Sequence, residues 1–127
     1  MNTKTLGQLG EEKAREFLEK KGFKILETNF NTKIGEIDII ALEKQGFLGL
    51  GAKIIHFVEV KSSVFNPNFF PEDRVDFRKK HKIEQISQIW LNKNRKFSAL
   101  PFQFDVISIN FESDKETVKE INFFEKV

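Results

Sequence analysis

The sequence predicts an α/β domain in which two helices flank a central mixed sheet, with the elements in the order α-β-β-β-α-β-β. Two segments carry apolar residues at helical spacing, and five shorter segments are apolar or alternate as strands do. Helices with one apolar stripe and strands with one apolar face bury these apolar surfaces by packing against each other in layers. The chain of 127 residues fits one domain, which we expect to span residues 1–127.

These patterns, and the turn residues between them, place the individual elements. An apolar stripe that includes Leu9, Ala14 and Leu18 marks the first helix. Three glycines predict a loop at 43–51, and asparagines with prolines predict irregular structure at 62–72. The predicted helices are 6–21 and 77–93, and the predicted strands are 23–30, 34–42, 53–61, 101–111 and, at an edge of the sheet, 118–124.

Positive charge is concentrated in one segment, although the net charge of the chain is only +2. Residues 74–96 hold eight lysines and arginines against two acids, a local net charge of +6. A basic helix of this kind either contacts nucleic-acid phosphates or presents a solvated face. The residues that we expect to contact nucleic acid are Arg74, Arg78, Lys79, Lys80 and Lys82.

The composition excludes several classes of protein. The chain has no cysteine, which excludes disulfides, thiolate nucleophiles and cysteine-ligated metal sites. No run approaches the roughly 20 apolar residues that a membrane-spanning helix needs. The polar start of the chain also lacks the apolar region of a signal peptide. We therefore expect a cytoplasmic protein with no membrane partner.

Charged residues inside otherwise apolar strands are the clearest sign of function. Asp38 interrupts the second predicted strand, and Glu59 and Lys61 interrupt the third. Burial of an unpaired carboxylate is strongly unfavourable, so an acid in a strand usually has a cation as its partner. These residues are therefore candidates for a functional site.

A hairpin between the second and third strands would bring these residues together. With its turn at 48–49, residues whose numbers sum to 97 lie opposite each other, so Asp38 faces Glu59. The same register places Ile40 opposite Phe57. Opposed residues have Cβ atoms about 5 Å apart, and two opposed carboxylates repel each other unless a cation lies between them. A hard divalent cation fits, because it takes oxygen ligands and leaves room for water and phosphate.

Phosphodiester hydrolysis needs these groups in one place. Lys61 would orient the attacking water or neutralise the negative charge that grows on the phosphate. The alternative is that the acids and the lysine form cross-strand ion pairs on a solvated face. The spacing alone leaves both interpretations open.

Longer motifs follow the same order as those of a known family. They are Gly10-Glu11-Glu12-Lys13-Ala14, Gly35-Glu36-Ile37-Asp38, Phe57-Val58-Glu59-Val60-Lys61 and Phe104-Asp105-Val106. Together with the basic helix between them, they resemble the YraN-like family of small bacterial proteins. This family lies within the PD-(D/E)xK nuclease superfamily, which has the restriction-endonuclease-like fold and includes archaeal Holliday-junction resolvases. The resemblance covers about residues 6–109.

The resemblance implies a Mg²⁺- or Mn²⁺-dependent endonuclease that hydrolyses DNA phosphodiester bonds, at branched or otherwise unusual DNA by analogy of fold. Asp38, Glu59 and Lys61 would form the catalytic centre. Asp38, Glu59, the Val60 carbonyl and Glu11 would be the metal ligands. The alternative is a nucleic-acid-binding module that keeps the fold without cutting. A domain this small would find it hard to cut both strands alone, so we expect a homodimer.

Three features depart from the pattern of this family. Gln103 stands where the family usually has an arginine, so Asp105 needs another partner. The loop at 43–52 is longer and richer in glycine than the family pattern. Two serines follow Lys61, where a basic residue is usual. These differences leave the phosphate contacts and the substrate preference open.

Overall fold

A computed structural model describes residues 4–68 and 77–127 of the chain, and its centre is one five-stranded sheet. The strands are β1 (Lys24–Asn31), β2 (Glu36–Lys44), β3 (Lys53–Val64), β4 (Phe102–Phe111) and β5 (Val118–Phe124). They lie side by side in chain order. The pair β3 and β4 is parallel, and the other three pairs are antiparallel. The sheet is therefore mixed, with β1 and β5 at its edges.

One helix covers each face of this sheet. α1 (Leu6–Lys20) begins with a capping box, in which the N–H of Gln8 donates to Thr5 Oγ1 and the N–H of Thr5 donates to Gln8 Oε1. α2 (Phe77–Lys93) lies between the parallel strands in the chain, as a crossover helix does. Neither of these helices, which belong to the described ranges, is long and apolar enough to cross a bilayer. Short 3₁₀ helices lie at Phe47–Gly49 and Arg95–Phe97.

The two helices bury separate apolar clusters. Alternation along β2 directs Ile39 and Ala41 towards α1, and Ile40 and Leu42 towards α2, so both faces of this strand are buried. The α1 cluster contains Leu9, Ala14, Leu18, Ile39, Ala41, Val58, Ile107, Ile109 and Phe111. The α2 cluster contains Phe30, Ile37, Ile40, Leu42, Ile55, Phe57, Ile86, Trp90 and Leu91.

The predicted α/β architecture of the restriction-endonuclease-like class is confirmed in its order of elements and its mixed sheet. α2 and β5 have the predicted bounds. β2 begins at Glu36 rather than at residue 34, because the N–H of Thr32 donates to the carbonyl of Gly35 (2.8 Å) and closes a turn. β3 continues to Val64 rather than ending at residue 61, because it pairs with β4 along its length.

The predicted hairpin register is confirmed. Ile40 lies opposite Phe57, and the ladder of β2 and β3 runs from Lys44–Lys53 to Ile39–Val58. The strand ends that follow this last pair carry the charged residues singled out by the sequence. The hairpin therefore fixes which residues can meet at that end of the sheet.

Candidate functional site

The ladder of β2 and β3 ends one pair before Asp38 would face Glu59. Its last pair is Ile39–Val58. Beyond that pair, the backbone N–H of Val60 donates to Asp38 Oδ2 at 2.7 Å. In the confirmed register, the predicted pairing of Asp38 with Glu59 lies one position beyond the last ladder pair. The Asp38 carboxylate accepts a hydrogen bond from the N–H of the residue that follows Glu59.

Three carboxylates converge at the start of β2. One oxygen from each of Glu11, Glu36 and Asp38 lies within 4.8 Å of the other two. Glu11 comes from α1, and Asn29 Nδ2 donates to Glu11 Oε2 at 2.8 Å. This acidic group (Glu11, Glu36 and Asp38) offers carboxylate oxygens, which are the ligands that Mg²⁺ and Mn²⁺ favour. Glu36 joins the two residues that the sequence had assigned to a metal.

A close contact between α1 and β3 brings Glu11 to the acidic group. A Cβ at Gly10 would lie 1.7 Å from Ser62 Oγ and 2.8 Å from Ser62 Cβ. Glycine has no Cβ, so the helix backbone can approach the strand this closely. Glu11 follows directly and is half-buried at this contact. The Gly10-Glu11 pair of the sequence motif therefore has a steric explanation.

The environment of Asp38 opposes its negative charge. Burial is the largest cause, and together with the neighbouring acids Glu36 and Glu11 it raises the pKa of Asp38 to about 7. The hydrogen bond from Val60 acts in the opposite direction but is outweighed. A cation bound beside Asp38 would reverse this balance, because it stabilises the ionised form.

Glu59 lies beside this group and is paired with a cation from α2. Its Oε1 forms an ion pair with Lys79 Nζ. Its Oε2 is buried and has no hydrogen-bond partner among the described residues. A buried oxygen of this kind is costly unless a donor or a metal reaches it. Asp38, Glu59 and Lys79 line one cavity of about 200 Å³, so the two predicted ligands share a space although they are not a ladder pair.

Val60 and Lys61 follow Glu59 along β3, and both are half-buried. Alternation places Lys61 on the face of Glu59 and turns the Val60 side chain to the α1 cluster. Val60 contributes its N–H to Asp38.

Part of the predicted basic surface lies against the acidic group. Arg78, Lys79 and Lys82 line a cavity of about 440 Å³ together with Glu36. Lys80 is half-buried on the same helix. Arg74 lies outside the described residues, so its predicted role has no structural counterpart here.

Sequence reasoning missed two members of this site. Glu36 was recognised only as part of the Gly35-Glu36-Ile37-Asp38 motif, and its place in the acidic group depends on how near Glu11 of α1 comes to the start of β2. Lys79 was predicted to bind nucleic acid, and its ion pair with Glu59 depends on how α2 packs. The sequence signal for Glu36 was its position next to Gly35, shortly before Asp38.

A second polar network is buried on the other face of β3. His56 is 0% exposed and Asp105 is 2% exposed. His56 Nδ1 lies 2.5 Å from Asp105 Oδ2, and His56 Nε2 lies 2.8 Å from Glu43 Oε1. Burial alone would lower the pKa of His56, but the hydrogen bonds and charges of Asp105 and Glu43 outweigh it and raise that pKa. This geometry favours an imidazolium held between two carboxylates.

This network answers the question raised by Gln103. The amide Nε2 of Gln103 donates to Asp105 Oδ1 at 2.8 Å, and the backbone N–H of Lys126 donates to the same oxygen at 3.0 Å. With His56 on its other oxygen, Asp105 has three partners without an arginine. Gln103 therefore supplies one of the hydrogen-bond partners of Asp105 at the position where the family usually has an arginine.

Comparisons with known proteins agree with the sequence motifs. A UPF0102 protein of Caldanaerobacter subterraneus subsp. tengcongensis is 41% identical over 123 residues, which cover 96% of this chain and 93% of that protein. UPF0102 proteins of Acetivibrio thermocellus and Clostridium perfringens are 39% and 38% identical, over 95% and 94% of this chain and 88% and 90% of their own lengths. The profile of the family described as "Uncharacterised protein family UPF0102", which is the YraN family, matches residues 10–109. The chain therefore belongs to the UPF0102 family.

Proposed function

We propose that this chain is a Mg²⁺- or Mn²⁺-dependent endonuclease that hydrolyses DNA phosphodiester bonds. The observation that carries the proposal is the convergence of Glu11, Glu36 and Asp38 within 4.8 Å, beside Glu59. Acids that served only to stabilise the fold would be expected to pair with basic residues. Here burial, together with the neighbouring acids Glu36 and Glu11, raises the pKa of Asp38 to about 7.

The residues present fit a hard divalent cation. The acidic group supplies carboxylate oxygens from two elements, and Glu59 Oε2 is a buried oxygen without a partner among the described residues. No cysteine is present, and oxygen ligands favour Mg²⁺ or Mn²⁺ over softer metals. When bound, the metal would act as a Lewis acid on the phosphodiester.

The ligands are divided between the acidic group and Glu59. Asp38 is held in place by the N–H of Val60, and Glu11 by the amide of Asn29. Glu59 offers Oε2, and its Oε1 would also become available if Lys79 moved from it to a phosphate of the substrate. The acidic group and one exchangeable acid, Glu59, would together couple metal binding to DNA binding.

The basic residues would act on the substrate. Lys61 lies on the face of Glu59, where an ammonium can orient the attacking water or balance the charge that grows on the phosphate. Arg78 and Lys82 line the cavity beside Glu36 and would hold the DNA backbone. Phosphate contacts of this kind carry no sequence information, so binding should be insensitive to sequence and should weaken with salt.

Branched or otherwise unusual DNA is the substrate that we favour within this proposal, by analogy with resolvases of the same fold class. The rival function is a nucleic-acid-binding module that does not cut. It would use the basic face of α2 and would leave the acidic group without a purpose. The intact set of Asp38, Glu59 and Lys61 therefore supports the enzyme.

The test combines metal binding with cleavage. Mn²⁺ binding would be measured by calorimetry on the wild type, Asp38→Ala and Glu11→Ala, with Glu19→Ala as a matched control from the exposed end of α1. The same proteins would be incubated with linear, flapped and four-way DNA in Mg²⁺, in Mn²⁺ and in a chelator. We expect the two site variants to lose metal binding and cleavage together, and Glu19→Ala to keep both.

The outcomes separate the two functions. Metal-dependent cleavage of any of these DNAs, lost in Asp38→Ala, would establish the nuclease. DNA binding that is unaffected by Asp38→Ala and by metal, with no cleavage of any substrate, would instead favour the binding module. Cleavage that persists in Asp38→Ala would exclude the assigned site.

A further inference from the structure

Exposed apolar side chains gather at the end of the sheet that is remote from the acidic group. Of the five large apolar residues exposed in the described ranges, Phe47, Leu48, Leu50 and Phe102 are four, with exposures of 85%, 78%, 82% and 39%. β2 ends here, and β3 and β4 begin here, because Ile55 lies beside Phe102 in the parallel pair. Contiguous apolar surface on a water-soluble domain usually marks an interaction site.

Three of these side chains lie on one loop, which we call the apolar loop (residues 46–51). Its ends are closed by hydrogen bonds of 2.8 Å, from the N–H of Gln45 to Ala52 O and from the N–H of Gly51 to Gln45 O. Leu48 has a φ of 57°, in the left-handed region that a leucine rarely adopts. A loop that keeps such a conformation presents its side chains in one arrangement, which favours binding.

A cavity on the same chain matches this loop. It measures about 340 Å³, and Phe102 and Phe104 form its apolar wall. His81, Glu84, Gln85 and Gln88 of α2 form its polar side. A cavity of about 150 Å³ is enough to hold benzene, so this one is large enough for apolar side chains of the loop. Since Phe102 is both exposed and part of the wall, the cavity opens at the end of the sheet that carries the apolar loop.

The charges around the two features are complementary. Lys44 and Lys53 lie directly opposite each other at the base of the apolar loop. Like charges at opposed positions of a ladder are destabilising, so this pair favours an anionic partner. Glu43, the nearest acid along β2, is hydrogen-bonded to His56. Glu84 lines the cavity and carries the negative charge that would attract the two lysines.

We propose that two copies of this chain form a symmetric dimer, in which the apolar loop of each copy enters the Phe102 cavity of the other and Lys44 and Lys53 meet Glu84. The loop and the cavity lie at the same end of the chain, so a reciprocal exchange of loops between two copies is compatible with a two-fold axis. Asp38 is six residues from Lys44 along β2, about 20 Å at the usual rise of a strand. The acidic group therefore stays open in the dimer. The inference stands independently of the proposed nuclease activity.

The first experiment removes the apolar contact. Sedimentation equilibrium would give the dimer dissociation constant of the wild type, of Phe47→Ser/Leu50→Ser and, as a matched control, of Ile34→Ser. Ile34 is 41% exposed but lies at the turn before β2. We expect the double variant to dissociate at least about a hundredfold more readily, and Ile34→Ser to match the wild type. Circular dichroism would establish that each variant is folded.

The second experiment uses charge reversal. Lys44→Glu would oppose Glu84 of the second copy, and Glu84→Lys would oppose Lys44, so each variant alone should dissociate about tenfold or more readily. A mixture of the two variants, or both changes in one chain, should restore the dimer. Lys44→Glu also replaces a like-charge pair with an attractive one in the ladder, so loss of the dimer would not reflect a loss of folding.

A wild type that remains monomeric at millimolar concentration, or a dimer that survives Phe47→Ser/Leu50→Ser, would exclude this interface. A mixture of Lys44→Glu and Glu84→Lys that fails to associate, when each alone has dissociated, would exclude the pairing of these residues.

Discussion

The N–H of Val60 donates to the carboxylate of Asp38 at 2.7 Å, across the point where β2 and β3 separate. This hydrogen bond favours the ionised carboxylate, whereas burial and the acids Glu36 and Glu11 oppose it. The net result is a pKa of about 7 for Asp38. The metal-free fold therefore carries an electrostatic penalty at its candidate site, which a bound cation would relieve.

Replacement of Asp38 by asparagine should stabilise the metal-free chain at pH 8. The folded pKa of about 7 is above the ordinary 3.8, so the ionised carboxyl destabilises the fold increasingly from pH 4 to pH 7 and fully above it. Asparagine keeps an oxygen for the Val60 N–H and carries no charge. We expect a gain of at least about 1 kcal/mol at pH 8 and a smaller one at pH 5. Urea unfolding with a chelator at both pH values would measure it.

Asp114 provides the control of opposite sign. Its carboxylate accepts hydrogen bonds from Thr117 and Glu116, which lower its pKa. A carboxyl whose pKa is lowered in the folded state stabilises the fold at pH values above its ordinary pKa. Asp114→Asn should therefore be less stable than the wild type at pH 8. A gain for Asp38→Asn that is equal at pH 5 and pH 8 would contradict the electrostatic explanation.

Removal of the Lys79 ammonium should strengthen metal binding in the absence of DNA. Lys79 forms an ion pair with Glu59 Oε1, and Glu59 Oε2 lacks a partner in the described part of the chain. Lys79→Met frees this carboxylate, so Mn²⁺ should bind about tenfold more tightly by calorimetry, as expected for a coupling of this size. Lys82→Met removes the same charge from the same cavity and should change the affinity much less.

Both variants should bind DNA more weakly, because each loses a phosphate contact. An equal rise in Mn²⁺ affinity for Lys79→Met and Lys82→Met would mean that only the net charge matters. Lys79 would then have no specific competition with the metal.

The fold could be predicted because its signals are local. The apolar stripe of α2 and the alternation of β5 gave the observed bounds, and a turn placed at the middle of the glycine-rich loop gave the observed hairpin register. β2 was misplaced at its start because a side-chain-assisted turn, from Thr32 to Gly35, replaces the first residues of the apolar run. A strand with a bulge at Gly35 would have the same sequence as this turn, so the sequence alone did not distinguish the two.

The site could be predicted in part because buried acids are unusual. Asp38 and Glu59 interrupt apolar strands, and the Gly10-Glu11 motif indicated the helix acid. The ion pair of Lys79 with Glu59 and the contact of His56 with Asp105 could not be predicted. Both depend on the distance between elements far apart in the chain, which periodicity does not encode.

The His56 network should make stability depend on pH through Glu43. The folded pKa of His56 is raised above its ordinary 6.5, so the stability from its charged form is fully present below pH 6.5 and is lost as the pH rises through the folded value. Glu43→Gln removes one of the two carboxylates that hold this charge. The free energy of unfolding of the wild type should exceed that of this variant by about 1–2 kcal/mol at pH 6 and by much less at pH 9.

Glu112→Gln is the matched control for this comparison. Glu112 is also near a strand end, but its ion pair with Lys119 is long, at 3.9 Å, and exposed. Exposed pairs contribute little, so this variant should differ from the wild type by a small amount that does not change between pH 6 and pH 9. A difference for Glu43→Gln that is constant across this range would show that His56 does not carry the charge assigned to it.

Gly10→Ala should destabilise the fold and weaken metal binding, whereas Gly7→Ala in the same helix should do neither. A Cβ at Gly10 would lie 1.7 Å from Ser62 Oγ, so α1 must move away from β3, and Glu11 moves with it. We expect this overpacking to lower the free energy of unfolding by about 1–3 kcal/mol. A Cβ at Gly7 has only Thr5 Oγ1 within reach, at 3.9 Å, and alanine there should stabilise the helix. Thermal unfolding and Mn²⁺ calorimetry would measure both effects. Ser62→Gly in the Gly10→Ala chain removes the clashing atoms and should restore metal binding; if it restores stability alone, the approach of α1 does not position Glu11.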